Sequence, residues 1–384
     1  MRTLPLLLLV GCAAPDAGQL FYSVNTHVTD GPDETVGYFV DAIAKAETKV
    51  DIAFPKGEDT RLSDALIAAY DRGVEVKVVT DIDEADSAAV SELIAAGVPT
   101  TLADAGISYF EFLLGDTVSW PSEQTIMSHA FAVIDYEVTD YQYTEPKVVQ
   151  ASSVGSLAEG PRVVFEARGE ELAEDLWIEH HQVFGGADCT AATAYDAMAK
   201  SIADSRYRYD TSSNVELQVW FGPQERLIKR VTDAVYSARS DVRILTDDFA
   251  TEGLAFALQD KASWGFDVDV IVGPNFSASS TALSRTLSNS TPDVAKFQTS
   301  MEQVPTVILI DYGEDLSGRY NTSRALVITH DLYSSSRLYR SQEVVNDQLI
   351  DGAMWELRVY GEPSGDLLDL EQLWKDARAD AEVL

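Results

Sequence analysis

Two stretches of the chain are apolar at almost every position and close on the same residues. Residues 127–134 run through Ser128, His129, Ala130, Phe131 and Val133 into Ile134-Asp135-Tyr136. Residues 303–310 run through Val304, Pro305, Thr306 and Val307 into Ile310-Asp311-Tyr312. A run of β-formers without polar alternation fits a strand covered on both faces, here entering an acidic turn. Around these runs, strand-like and helix-like spacing take turns. Residues 19–24, 50–54 and 74–79 read as strands. Residues 35–46, with Val36, Phe39, Val40 and Ile43 on one face, read as a helix, as do 63–71, 81–96 and 170–184. Gly73 and Gly97 stand where a left-handed residue ends a helix. Strands alternating with helices predict an α/β fold with mostly parallel sheets under helical layers.

The pattern repeats. Val50 and Val242, Gly73 and Gly265, and Val76 and Val268 are each 192 positions apart; Asp135 and Asp311 are 176 apart, and Trp177 and Trp374 are 197 apart. A constant offset across a helix and the strands flanking it indicates an internal duplication. The first half is expected over residues 19–187 and the second over 214–384. A linker helix over 188–213 joins them, following the Gly185-Gly186 break. The two apolar strands are expected to lie side by side where the halves pack about a pseudo-twofold axis.

Composition changes this picture in three ways. Hydrophobic residues make up 46% and charged residues 24%, the balance of a globular chain with real cores. There are 63 Asp and Glu against 28 Lys and Arg, a net charge of −35. Nucleic acid is therefore not an expected partner, since its binders carry a basic face, and anionic surfaces are repelled at low salt. Only two cysteines are present, Cys12 and Cys189, so there is no disulfide framework.

Cys12 has its own context. Residues 1–11 give a positive start and a short apolar core, and Leu9-Val10-Gly11-Cys12 resembles the lipobox of a bacterial lipoprotein signal. The resemblance implies cleavage before Cys12, lipid on its sulfur and a further acyl chain on its amine, with residues 12–18 as a tether. Ala13 rather than Asp after the cysteine implies the outer membrane of the cell envelope. The apolar run falls short of the ~20 residues a spanning helix needs. It is also short for a secretory leader of ~15–30 residues, which points to a start codon farther upstream.

The order of strand, helix, Asp71-Arg72-Gly73-Val74-Glu75-Val76-Lys77-Val78-Val79, then Phe131-Ala132-Val133-Ile134-Asp135, then a helix with the late Trp177, resembles the phospholipase D superfamily, once per half. That family includes phospholipases, cardiolipin synthases and phosphodiester nucleases. Its signature is His-x-Lys with Asp five positions after the lysine. The resemblance implies a cleft between two halves, one histidine attacking phosphorus, the other protonating the leaving group, and lysines holding the phosphoryl oxygens. Residues i and i+2 of a strand share a face, which is why the signature has that spacing.

This chain departs from the signature at its centre. Counting back from Asp135 puts Ser128 at the histidine position and Ala130 at the lysine position; counting back from Asp311 gives Val304 and Thr306. Asp135 and Asp311 remain, as orienting groups whose histidines are gone. His129 falls on the opposite strand face and reads as a packed side chain. The family's later Gly-Ser-x-Asn run resembles Thr329-His330-Asp331-Leu332, with Asn346-Asp347 as a polar pair beyond it; Gly318-Arg319-Tyr320-Asn321 is an alternative match, and Ala151-Ser152-Ser153 is the counterpart in the first copy. His330, Asp331 and Asn346 are thus candidate cleft residues. The five histidines, at 27, 129, 180, 181 and 330, show no metal-ligand spacing, and no cofactor motif or Gly-x-Ser-x-Gly elbow occurs. Losing a covalent nucleophile costs on the order of 10⁶ in rate. The expected function is that of a membrane-anchored, catalytically degenerate binding or scaffold protein. The alternative is an active phospholipase D-type phosphodiesterase on a phospholipid or another phosphodiester, working through His129 or His330.

Overall fold

The structure is a computed structural model. It describes residues 23–384 except 56–58, 104–106, 112–115, 121–124, 138–145, 154–159, 185–208, 211–214, 223–224, 250, 275, 277–293, 313–321, 331, 333–334, 340–341, 346–347 and 361–365. Cys12, Cys189, Asp331, Asn346, the 318–321 match and the body of the expected linker helix lie outside the described residues.

The first half runs β1 (Ser23–Thr29), α1 (Pro32–Ala44), β2 (Lys49–Phe54), α2 (Thr60–Asp71), β3 (Glu75–Asp81), α3 (Ala88–Ala95), β4 (Thr100–Ala103), a hairpin β5 (Ile107–Glu111) and β6 (Asp116–Trp120), then β7 (Thr125–Met127), β8 (Phe131–Ile134), β9 (Lys147–Ala151), β10 (Arg162–Arg168) and α4 (Glu170–Phe184). The second half runs β11 (Tyr209–Asp210), β12 (Val215–Phe221), α5 (Leu227–Tyr236), β13 (Asp241–Thr246), α6 (Glu252–Ser263), β14 (Asp267–Val272), β15 (Val294–Gln298), β16 (Thr306–Ile310), β17 (Thr322–Ile328), β18 (Ser335–Tyr339), β19 (Gln342–Val345), β20 (Gln348–Asp351), β21 (Ala353–Tyr360), α7 (Asp366–Ala379) and β22 (Glu382–Val383).

The sheets are ordered β1-β10-β9-β8-β2-β3-β4 and β11-β12-β21-β17-β16-β13-β14-β15-β22. They are mixed, which corrects the expectation of mostly parallel sheets. Only β2-β3-β4 and β13-β14-β15 are parallel. Helical crossovers α2, α3 and α6 serve those corners; the other neighbouring strands of these two sheets run antiparallel among the described residues.

The two apolar strands are buried on both faces, as their lack of alternation requires. Ala132 and Ile134 of β8 join the core under α1 and α2, while Phe131 and Val133 face the opposite core. In β16, Ile308 and Ile310 lie under α5 and α6, and Val307 and Leu309 face that same opposite core. This core is shared. It joins Phe165 and Leu176 of the first half to Leu217, Trp355 and Trp374 of the second, with the Phe165 and Trp355 rings stacked 4.6 Å apart.

β8 and β16 do not pair with each other, contrary to the side-by-side expectation. β8 lies between β2 and β9, and β16 between β13 and β17. The first strand is also interrupted. β7 pairs with β20 of the other half, β8 pairs within its own half, and residues 128–130 carry the chain between these partners. In the second copy, Pro305 lacks an N–H for the ladder and β16 starts after it. The helix expected over 81–96 is a short 3₁₀ turn, Ile82–Glu84, followed by α3, which starts where Ser87 caps the Val90 N–H at 3.4 Å.

Candidate functional site

Asp135 and Asp311 are the clearest sign of what the duplication keeps. Both have left-handed backbones, with φ of 55° and 60°. The Asp135 carboxylate accepts the backbone N–H groups of Glu47, Thr48 and Lys49 at 3.0, 2.7 and 3.1 Å. The Asp311 carboxylate accepts those of Arg239 and Ser240 at 2.7 and 2.8 Å, and the Ser240 hydroxyl at 3.2 Å. Glu47 and Arg239, and Thr48 and Ser240, are again 192 positions apart. These aspartates do not orient histidines. Each latches the end of its strand to the loop before β2 or β13, which corrects the role given to them above.

The motif positions themselves lie at the other end of the strands, where the halves meet. Ser128 Oγ sits 3.1 Å from Thr329 Oγ1. Ala130 is buried. A cavity of about 80 Å³ is lined by Ser152, Arg162, Asp247, Val304, Thr306 and His330, among others. His330, singled out from the sequence, therefore does line the cleft. His129 does not: it is fully buried, its Nε2 2.8 Å from Glu179 Oε1 and its ring edge-on to Phe131.

Strand register shows which residues correspond. Phe131 pairs with Gln150 and Val307 with Val327, so Ser152 matches Thr329 and Ser153 matches His330. Val164 pairs with Ala151 and Met354 with Ile328, so Arg162 matches Gly352. The asymmetry has a steric cause. A Cβ at Gly352 would come within 2.4 Å of Ser128 Oγ, 2.8 Å of Thr329 Oγ1 and 3.2 Å of His330 Cδ2. Arg162, 1% exposed, spans the halves instead: it donates to Ser153 Oγ at 3.0 Å, the Gly160 carbonyl at 2.8 Å and Gln303 Oε1 at 3.1 Å. Sequence reading missed Arg162, because no spacing rule ties β10 to the motif strand.

A carboxylate accompanies each motif segment. Asp81 accepts the Met127 N–H at 3.2 Å, and burial pushes its carboxyl above the usual range. Asp247 accepts the Val304 N–H at 3.2 Å; a Cβ at Gly273 would lie 2.1 Å from its Oδ1, so only glycine leaves room for that carboxylate. Thr306 Oγ1 lies 3.0 Å from Thr246 Oγ1. Among the described residues, the cleft thus holds hydroxyls, the Asp247 carboxylate, the Arg162 guanidinium and the His330 imidazole in a space far below the ~300 Å³ of the smallest usual ligand pockets.

A family model described as "Cardiolipin synthase, PLD-like domain" matches residues 39–157. Residues 39–157 thus carry a phospholipase D-like domain of the cardiolipin synthase type. A polyphosphate kinase from Porphyromonas gingivalis shares the fold at a TM-score of 0.59 and 11% identity, over 94% of this chain and 48% of its own. The chain thus spans about half the length of that kinase. A phosphatidylserine synthase from Haemophilus influenzae Rd KW20 does so at 0.59 and 11% identity, over 95% of this chain and 89% of its own. No curated protein matches the chain by sequence.

Within this phospholipase D fold a larger groove, about 700 Å³, adjoins the cleft through Pro161. His27, Tyr38, Glu302, Asp369 and Asp376 contribute to its walls, with His27 stacked on Tyr38 at 4.7 Å. Among the described residues no group of three or more His, Cys, Asp or Glu side chains is placed to hold a metal ion. His180 is packed rather than exposed: Nε2 lies 3.2 Å from the Ile52 carbonyl, and burial pushes the imidazole down to about 3.

Proposed function

We propose that this phospholipase D-like chain is a catalytically silent binding or scaffold protein, held at the bacterial cell envelope by lipid on Cys12. The observation that carries the first part is the content of the cleft. The two histidine positions hold Ser128, whose hydroxyl is engaged with Thr329, and Val304, an alkyl group. The two lysine positions hold Ala130 and Thr306. None of these groups is cationic, and neither the Ala130 methyl nor the Val304 alkyl group can act as nucleophile or base. The Asp247 carboxylate beside Val304 opposes a phosphodiester, and without the paired lysines the charge developing on phosphoryl oxygens loses its stabilisation. The ligand that fits the superfamily's chemistry is a phospholipid or another phosphodiester, bound without turnover.

One observation favours the second reading, an active phosphodiesterase: His330 reaches the cleft beside Ser128. An assay on an activated phosphodiester and on phosphatidylcholine vesicles separates the two. The silent reading predicts turnover no greater than the enzyme-free blank, and turnover abolished by His330→Ala would overturn it.

The anchoring part rests on Leu9-Val10-Gly11-Cys12. Several acyl chains, at about 0.8 kcal/mol per buried methylene, give durable attachment where one gives only reversible binding. Protein isolated from its native cell should carry lipid mass on the peptide beginning at Cys12, and Cys12→Ser should leave the detergent phase. An unmodified peptide refutes the anchoring.

A further inference from the structure

Three large aromatic side chains stand exposed on the outer helices of the second half: Tyr236 at 44%, Phe256 at 53% and Trp264 at 63%. They form one surface. Phe256, Asp260 and Trp264 follow one another at helical spacing of four, a single stripe along α6 and its C-cap. Tyr236, at the end of α5, reaches the middle of that stripe, its hydroxyl 3.5 Å from Asp260 Oδ2. An exposed carboxylate thus lies about one helical turn from Phe256 and from Trp264, with the Tyr236 hydroxyl beside it.

The fold does not require these residues. At the same 192-residue offset, the first half has Ala44, Asp64 and Arg72. Its α1–α2 pair makes the same packing with them. Arg72 closes α1 by donating to the Ile43, Ala44 and Ala46 carbonyls at 3.1, 3.4 and 3.4 Å. In the second half that task passes to the buried Lys261, which donates to the Ala238 carbonyl at 2.6 Å beneath the Trp264 and Phe266 rings. Trp264 shields this lysine on one side and leaves most of its surface to solvent. Contiguous exposed aromatics mark contact surfaces.

The geometry points to this face as a docking surface for a bilayer rich in ammonium-bearing, zwitterionic headgroups. Tyr and Trp favour the membrane–water interface, with the ring toward the apolar side and the polar atom toward water. Ammonium groups bind aromatic faces, and Asp260 supplies the countercharge at their centre. Anionic lipid is the wrong partner for a chain of net charge −35. The inference rests on the envelope-anchoring reading for bringing a bilayer within reach. The eleven residues from Cys12 to Tyr22 have a contour length of ~36–40 Å, against a radius of gyration of ~21 Å for a chain of this length.

The test uses the full chain with Cys12→Ser, so that no acyl chain contributes, sedimented with vesicles of phosphatidylcholine and phosphatidylethanolamine. Partitioning should be measurable and should fall at least five-fold on Tyr236→Ala with Phe256→Asp, the residues the first half carries at those positions. The thermal midpoint should not move; should it move, Phe256→Ser alone provides the comparison. Phosphatidylglycerol vesicles should bind less. Soluble phosphocholine should compete only at concentrations far above those of the vesicle lipid. Absence of vesicle binding, binding indifferent to the substitutions, or capture of a protein partner through this face without vesicle binding would each overturn the inference. Lack of lipid on Cys12 in the wild-type protein, with vesicle binding by this face intact, removes the anchoring reading and leaves the docking face standing.

Discussion

Lys49 and Asp51 in the first half occupy the positions of Asp241 and Arg243 in the second, with the charges exchanged. Lys49 Nζ lies 3.0 Å from Asp51 and 5.4 Å from the Trp177 ring centre; Arg243 Nε lies 3.2 Å from Asp241, and its guanidinium lies 5.3 Å from Trp374. The same exchange of identity within a kept arrangement recurs on the other side of the sheets. His27 stacks on Tyr38 in one half, and Arg230 lies over Trp220 in the other. Lys147 pairs with Glu166, and Arg324 with Glu356. Where the fold needs only complementary partners, either order serves. Where it needs a carboxylate on a left-handed residue, as at Asp135 and Asp311, both halves have the same residue. At the positions where the superfamily does chemistry, the halves agree neither with each other nor with the signature. The skeleton is thus held by latches and pairs that do not depend on the reaction.

The latches should show the largest effect. Asp135→Ala and Asp311→Ala each remove two or more charge-assisted hydrogen bonds and leave alanine in the left-handed region, a loss of about 3 kcal/mol in urea unfolding. Asparagine, which tolerates that backbone, should recover about half. Equal losses in the two halves support equivalence; a latch that can be removed freely breaks it. Arg162→Met comes next, at about 2–3 kcal/mol, because three buried acceptors lose their donor. Its counterpart, Gly352, has no such contacts to lose.

Acid should then distinguish the halves. His180 is buried, and its position in the second half is held by Ala377. With its folded pKa near 3 against about 6.5 unfolded, the unfolded chain binds the extra proton between those values. Stability is therefore complete above pH 6.5 and falls as the pH drops, by about 2 kcal/mol at pH 5. Asp51, raised by burial, acts in the opposite sense at lower pH. Hydrogen exchange at pH 5 should open α4 and β2 before α7 and β13, and His180→Gln should lessen the slope, leaving the part owed to His181, whose imidazole desolvation pushes down to about 4. The smallest effect belongs to Gly352→Ala, about 1–2 kcal/mol from the clash with Ser128 Oγ and Thr329 Oγ1. Ser128→Ala should relieve part of it, a coupling that a double-mutant cycle reads directly.

Much of this was legible in the chain. The 192-residue offset placed the β2-α2-β3 and β13-α6-β14 units, and the missing alternation identified β8 and β16 as strands buried on both faces. His129 was placed off the cleft by strand alternation alone, and His330 was placed on it. Direction of pairing was not legible, because an apolar strand looks the same beside parallel or antiparallel neighbours. The break at 128–130 depends on pairing with β20, some 220 residues away, which no local pattern carries. The latch role of the aspartates was hidden for the same reason: their partners are backbone N–H groups, and these leave no mark on the sequence. Arg162 and Asp247 reach the cleft from strands and loops outside the motif, brought there only by sheet order.

The central claim is that the skeleton persists without the reaction, and the direct measurement is phosphodiester turnover by purified protein, with and without divalent metal, alongside Ser128→His/Ala130→Lys and His330→Ala variants. The account predicts no turnover above the blank for the native chain or for His330→Ala, with folding intact in both. Robust turnover by the native chain that disappears in His330→Ala would contradict it.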